Sequence, residues 1–493
     1  MYLLSENKKV IRQLNLMVIL TLITQVFILI KNAIVAAYFG VGIELDSFNL
    51  ANRVSTFVYS FIGAGVSTVI IPYLKDKANR KSVEIFISIT YSISFLLLIL
   101  MLILKDPIIL FTSGSNNNYF IDISTNIFMF TIITGFFNSL IQLIKALLEF
   151  NGFFNIQKLI VLITTILSVV LLIIAGANIY YYAIILLILA VLGTIIHIYY
   201  LKKVDFSFNF NFNYRNNGFK EMMRLLLPTI LSTGVYQISL LIDTMIAARL
   251  DVGSISILSY SSSIISMVNM LLLTNLTSFF YPRLVKIDSI LERQVKLSNY
   301  ILLINAIMLV IFIMFYSVGQ DGISILFERG KFSSDNTNLV YLCSLILAIS
   351  LPSNAVRDLM YRYFYMNKDT FTPFVNSIVI SMNNIVISLI LSYYIGIFGV
   401  VLGTVISSYL SLIFIVTRFT KKFKILFDKK EFVKENLKII IVSITTLLVL
   451  LVFKSILVID NSIIAILVYI TLIILIFITL LKLTKSKLFN INL

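Results

Sequence analysis

TLITQVFILIKNAIVAAYFG, Thr21 to Gly40, is the stretch whose reading decides the fold. Twenty residues of this character match the hydrocarbon thickness of a bilayer. Yet Lys31 and Asn32 stand in the middle of the run. A charge at mid-bilayer costs about 2.5–3.5 kcal/mol on insertion scales, so it persists only where it faces protein or a water-filled cavity. The segment therefore reads as a membrane helix lining a polar interior. Its long stem would also let Lys31 snorkel toward an interface.

Similar runs recur along all 493 residues, of which 59% are hydrophobic and 13% charged, with a mean hydropathy of +1.00. Average soluble chains carry about 25% charged residues. The runs are continuous rather than alternating in segments of about 10 residues, which excludes a membrane barrel. The expectation is an all-α polytopic membrane protein of about fourteen transmembrane helices. The spans are 10–38, 46–73, 83–104, 122–148, 156–176, 179–201, 222–248, 254–281, 297–318, 336–364, 372–394, 396–417, 436–457 and 462–481. With the N-terminus in the cytoplasm, 32 of the 39 Lys and Arg fall on the inside. That bias is the positive-inside pattern and puts both termini in the cytoplasm. It also accounts for the net charge of +16 without a nucleic-acid partner.

Two stretches repeat. KNAIVAAYFGVG at 31–42 is echoed by IDTMIAARLDVG at 242–253, and IPYLK at 71–75 by YPRLVK at 281–286. FNGFFNIQKLIVLITTIL at 150–167 is weakly echoed by MNKDTFTPFVNSIVISMN at 366–383. The chain thus divides into a six-helix repeat (1–201), a cytoplasmic linker (202–221), a second six-helix repeat (222–418), a basic amphipathic linker (419–435) and two further helices with a tail (436–493). An even number of spans per copy leaves both copies the same way up. Such pairs enclose a central cavity and expose it to either side by rocking.

Several chemistries are excluded. Cys343 is the only cysteine and reads as a packing residue; His197 is the only histidine and reads as an interfacial one. Neither a disulfide framework nor a Cys-based metal site is available. There is no Walker A pattern, so the chain carries no ATPase. A glycan polymerase generally needs a sizeable outer loop bearing acids or histidine, and the longest one here, about 105–121, is dominated by TSGSNNN. The protein is not expected to be an enzyme.

The segments KNAIVAAYFGVGIELDSF (31–48), GAGVSTVIIPYL (63–74), LLPTILSTGVYQISLLIDTMIA (226–247) and ILFERGKFSSDNT (325–337) carry a family resemblance. Through them the chain resembles the MurJ/MviN lipid II flippase family, within the multidrug/oligosaccharidyl-lipid/polysaccharide exporter superfamily. The resemblance implies a flippase that moves a polyprenyl-diphosphate-linked saccharide across the bacterial cytoplasmic membrane by alternating access. It implies a lipid-linked oligosaccharide and membrane lipids as partners, and a monomer. A capsular or surface-polysaccharide repeat unit is an alternative cargo; a cation-coupled drug exporter is a more distant one.

The resemblance also marks substrate contacts. Where the family's first helix usually presents two arginines and then Asp, this chain has Gln25, Lys31 and Asn32. Asp46 is retained and Arg53 keeps a basic position, while Tyr59 and Ser60 replace others. In span 8 an Asp–Arg pair becomes Ser262 and Ser263. Arg holds phosphate through a planar fork and Lys only as a point charge. A weaker grip on diphosphate, or a different headgroup, is expected. Arg53 is read either as a substrate contact or as a structural partner of Asp46 or Glu44.

Asp243, among apolar neighbours in span 7, must be paired, protonated or bound to a cation. Some family members bind Na⁺ there with residues of spans 11 and 12. The matching positions are Asn384, Ser388, Val400 and Thr404, each pair four apart and so on one helix face. Na⁺ coordination, an H⁺-linked carboxyl and a structural hydrogen bond all remain open. No other cofactor is expected. Glu149, Asn151, Arg362, Asn367, Lys368 and Asp369 read either as an inner gate or as solvated loop residues. Glu328, Arg329 and Lys331 read as an outer-loop structural feature.

Overall fold

The structure, a computed structural model, describes the backbone of residues 2–74, 80–204, 208–457, 459 and 461–490. Side-chain surroundings are described for the same residues except 2–15, 63–68, 72, 154, 204, 227–233, 274, 275, 278, 282 and 490. Lys8, Lys9, Arg12, Lys75 and Lys77 of the charge pattern lie outside that set.

The described chain is helical. In order, the helices are α1 (Tyr2–Phe39), α2 (Ile43–Leu74), α3 (Arg80–Ile103), α4 (Lys105–Ser113), α5 (Asn118–Phe150), α6 (Phe154–Ala175) and α7 (Ile179–Leu201). They continue as α8 (Asn217–Ala247), α9 (Ser254–Val268), α10 (Thr274–Val285), α11 (Ile290–Phe327), α12 (Ser334–Ala348) and α13 (Leu351–Met366). The last four are α14 (Phe371–Ile395), α15 (Ile397–Lys422), α16 (Lys429–Ile456) and α17 (Ser462–Leu483). Among the described residues, 11 helices are long and apolar enough to cross a membrane, or 12 with α12 and α13 as one bent span. That is compatible with the expected fourteen, since α2 and α8 each include side chains outside the described set.

Four local departures from the sequence reading have physical causes. Residues 105–121 are not all loop: α4 forms there, with Asp106 in its first turn and Gly114 closing it at φ +52°. Span 336–364 bends by 40° between α12 and α13, where Pro352 lies in the first turn of α13. Proline lacks the N–H that would continue a helix. Span 254–281 is interrupted by a π-helical turn at Asn269–Leu273. The basic linker 419–435 forms no helix of its own. The Asp428 side chain accepts from the amides of Lys430 (2.9 Å) and Glu431 (3.2 Å) and so starts α16. Before it, buried Gln294 donates to the Lys424 carbonyl (3.0 Å) and accepts from the Leu426 amide (2.8 Å). One side-chain amide thereby pairs the extended backbone as a neighbouring strand would.

The chain splits into two compact units, Met1–Ser256 with Arg329–Ser333, and Ile257–Glu328 with Ser334–Leu493. In the first, Ile70, Ile85, Phe86, Leu147 and Met222 form a core shared by α2, α3, α5 and α8. The segment before α8 packs on α3: the Asn211 amide donates to Ser88 Oγ (3.0 Å), and Ser82 Oγ donates to Asn216 Oδ1 (2.8 Å). The same Asn216 oxygen accepts from the Phe219 amide at 3.0 Å and caps α8. In the second unit, α11 packs against α16 and α17 through Leu302, Ile313, Ile439, Leu450 and Ile473. Glycines at 399 and 403 let α15 approach the α14 backbone, where any Cβ would collide.

Two helix ends 216 residues apart close in one way. After α5, the amides of Gly152 and Phe153 donate to the Glu149 and Leu148 carbonyls, each at 3.0 Å. After α13, the amides of Lys368 and Asp369 donate to Tyr365 and Phe364, each at 3.0 Å. Asn151 and Asn367 each donate a side-chain amide to the carbonyl four residues back, both at 2.8 Å. The left-handed residue is Gly152 (φ +84°) in one copy and Lys368 (φ +59°) in the other.

Candidate functional site

α1 brings Lys31 to a half-buried position. Among the described residues it has no hydrogen bond, no ion pair and no charged neighbour. Asn32 is likewise half-buried. Gln25 lies on the same helix and is engaged by neighbouring groups.

Arg53, half-buried in α2, has Asp243 and Tyr236 of α8 within electrostatic reach. Neither acid expected from the sequence serves it. Glu44 pairs with Lys331 at 3.6 Å. Asp46 accepts from the amides of Gly253 (2.6 Å) and Ser256 (2.7 Å) and from Ser256 Oγ (2.6 Å). Both Asp46 oxygens are thus occupied at the first turn of α9, where unpaired amides favour a carboxylate. Asp243 is buried and engaged. With Arg53 near, its charge already has an opposite within the same unit.

The FERGKF stretch is built into this unit at its Arg329–Ser333 part. The Lys331 amide donates to the Ala37 carbonyl at 2.8 Å. Gly330 (φ +60°) lies so close to the Ala37 carbonyl that a Cβ would overlap it, and Gly40 (φ +62°) stands likewise against the Lys331 carbonyl. Glu328, in the second unit, accepts from Thr337 Oγ1 at 2.9 Å.

In the second unit, Ser262 is half-buried on α9, and exposed Ser263 donates to its own helix at the Ser259 carbonyl (2.8 Å). Asn384 Nδ2 donates to Thr404 Oγ1 (2.9 Å). Ser388 Oγ and Thr404 Oγ1 both donate to the Val400 carbonyl, each at 3.3 Å. The structure does bring these four together between α14 and α15. They bring hard oxygens but no charge.

The helix-end residues are each tied within their own unit. Glu149 pairs with Lys145 at 3.8 Å. Asp369 accepts from Lys422 Nζ (2.7 Å), Thr372 Oγ1 (2.6 Å) and the Thr372 amide (3.0 Å). Burial pushes the Asp369 carboxyl up, but these donors outweigh it and hold it below the usual carboxylate range. Arg362 stands over the Tyr281 ring at 5.7 Å.

Sequence reasoning missed Arg357. Among the described residues its Nε and Nη1 are buried without a partner, and it pairs with Asp358 at a long 3.5 Å. The Asn354 and Asn376 side-chain oxygens are also buried and unpaired. His197 is buried, its Nδ1 donating to the Gly193 carbonyl at 2.7 Å.

Residues 35–481 match the family model described as "Lipid II flippase MurJ". A probable lipid II flippase MurJ of Rickettsia prowazekii is 23% identical over 433 residues, covering 82% of this chain and 83% of that one. One from Buchnera aphidicola subsp. Acyrthosiphon pisum is 24% identical over 444 residues, covering 84% of each. A solved lipid II flippase MurJ in an inward closed conformation superposes with a TM-score of 0.81 at 21% identity, covering 95% of this chain and 98% of that one. An inward-facing multidrug resistance transporter of the MATE family reaches 0.64 at 16% identity and covers 81% of this chain and 95% of its own. The fold is therefore MurJ-like, a multi-pass helical membrane protein. With the family model matching nearly the whole length, the chain belongs to the lipid II flippase MurJ family.

Proposed function

We propose that this protein is a flippase that carries a polyprenyl-diphosphate-linked saccharide, lipid II or a close relative of it, across the bacterial cytoplasmic membrane by alternating access. Both termini lie in the cytoplasm, and the two six-helix repeats are 1–201 and 222–418. The like closures after α5 and α13 support that repeat.

The observation that carries the reading is Lys31, an ammonium in a membrane helix with no counter-ion among the described residues. An unpaired charge there is costly unless a ligand or water meets it. A diphosphate supplies that counter-charge. In the first unit Lys31 and Arg53 are the substrate contacts, with Gln25 and Asn32 as hydrogen-bonding neighbours. Arg53 stays partly balanced by Asp243 and so releases its anion more readily than an unopposed arginine. In the second unit Ser262 and Ser263 are neutral contacts. Asp46 supports the site by capping α9. Asn384, Ser388, Val400 and Thr404 stand together between α14 and α15, and coupling to Na⁺ there, or to H⁺ through Asp243, belongs to this reading.

Complementation tests the proposal. Cells depleted of their essential lipid II flippase should survive on this chain and fail on Lys31→Ala. Lysis despite correct insertion of the unaltered chain would overturn lipid II as the cargo.

A further inference from the structure

The first turns of α16 carry a basic stripe beside an apolar groove. Lys429, Lys430 and Lys434 are exposed, and their ammonium groups have no partner among the described residues. The acids beside them are already taken. Glu431 pairs with Lys487, while Glu435 accepts from Lys438 Nζ (2.6 Å), Ser486 Oγ (3.0 Å) and the Lys487 amide (3.0 Å). The stripe is therefore a net positive surface, not a solvated mixture of signs.

Lys429, Val433 and Leu437 also form one edge of a groove of about 570 Å³ between α11, α13, α15 and α16. Ile301, Val356, Leu412 and Val416 line it further. Its few polar groups are satisfied by one another or by backbone. Asn305 Nδ2 donates to Asn436 Oδ1 (2.9 Å), Tyr409 OH to the Ile349 carbonyl (2.9 Å) and Ser353 Oγ to the Ser350 carbonyl (2.8 Å). Nothing in the wall asks for a polar ligand. An elongated apolar occupant fits, with a negative group at the lysine end.

We propose that this groove is a site for an anionic glycerophospholipid of the bilayer, its acyl chain along α13 and α15 and its phosphate at Lys429, Lys430 and Lys434. Charge complementarity selects the occupant: a zwitterionic lipid fits the groove but leaves the three ammonium groups unanswered. All the lining residues belong to the second unit.

The test is native mass spectrometry of the delipidated full-length protein with dioleoyl-phosphatidylglycerol or dioleoyl-phosphatidylcholine at equal concentration. The unaltered protein should retain the phosphatidylglycerol preferentially. Lys429→Gln/Lys430→Gln/Lys434→Gln should lower that preference about tenfold and leave phosphatidylcholine adducts unchanged. Val416→Trp, filling the groove, should remove both adducts; Leu412→Phe is a milder fill should the first unfold. Equal retention of the two lipids by the unaltered protein, or an unchanged preference in the triple variant, would overturn the proposal.

Discussion

Asp46 of α2 caps the first turn of α9 at Ser256, taking its amide at 2.7 Å and its hydroxyl at 2.6 Å. With the Gly253 amide added, one carboxylate makes three hydrogen bonds to residues more than 200 positions away. Charge-assisted bonds of this kind are worth about 1.5–3 kcal/mol each. Asp46→Asn should destabilise the protein by about 2–4 kcal/mol, and Ser256→Ala by less, since the two backbone amides remain bound. Thermal unfolding in detergent measures both. An Asp46→Asn protein that melts with the parent yet no longer transports would reassign Asp46 to the substrate.

Lys31 should behave in the opposite way. Because it has no partner, Lys31→Met removes a desolvation burden and leaves no orphaned acid. The variant is expected to unfold at or above the parent's temperature while losing lipid flipping. Marked destabilisation would mean the ammonium holds the fold together.

Gly330 and the Ala37 carbonyl are in close approach, and Gly330 sits at φ +60°. Gly330→Ala adds a steric clash to a left-handed penalty of roughly 1–2 kcal/mol. A loss of at least about 2 kcal/mol is expected. Proteolysis of the 329–333 segment, compared between parent and variant, reports whether the tie to Ala37 has opened.

Lys368 occupies the left-handed position that Gly152 fills after α5. Lys368→Gly relieves that strain and should stabilise by roughly 0.5–1 kcal/mol. Gly152→Lys should destabilise to a similar extent. An unchanged melting temperature in both would refute the shared closure.

Asp369 makes stability depend on pH. Its carboxyl titrates lower in the folded protein than in the unfolded chain, chiefly against burial and through Lys422 and Thr372. Its contribution is therefore complete above the ordinary carboxylate value near 4 and is lost as pH falls below it toward the folded value. Lys422→Met should flatten the change in melting temperature over that acidic range and leave the range from pH 5 to 8 little altered. A slope the same in both proteins would rule the pair out.

Much of this protein was legible before any coordinates. Length and continuity of the apolar runs determine a multi-pass helical protein, because backbone polar groups must be satisfied internally in lipid. The motifs around residues 31–48 and 226–247 determine the family. The chain closes in the same way after α5 and α13, since such caps depend on a few adjacent residues. Pairing was not legible. Asp46 and Glu44 stand within nine residues of Arg53, yet one serves α9 and the other Lys331, and it is Asp243 of α8, with Tyr236, that lies within electrostatic reach of the arginine. Nor does spacing reveal that Gln294 pins residues 424–426, or that two Arg357 donors are buried without a partner among the described residues. Helix, cap and span follow from interactions a few residues apart. Which charge meets which depends on how distant helices pack, and only the tertiary structure decides that.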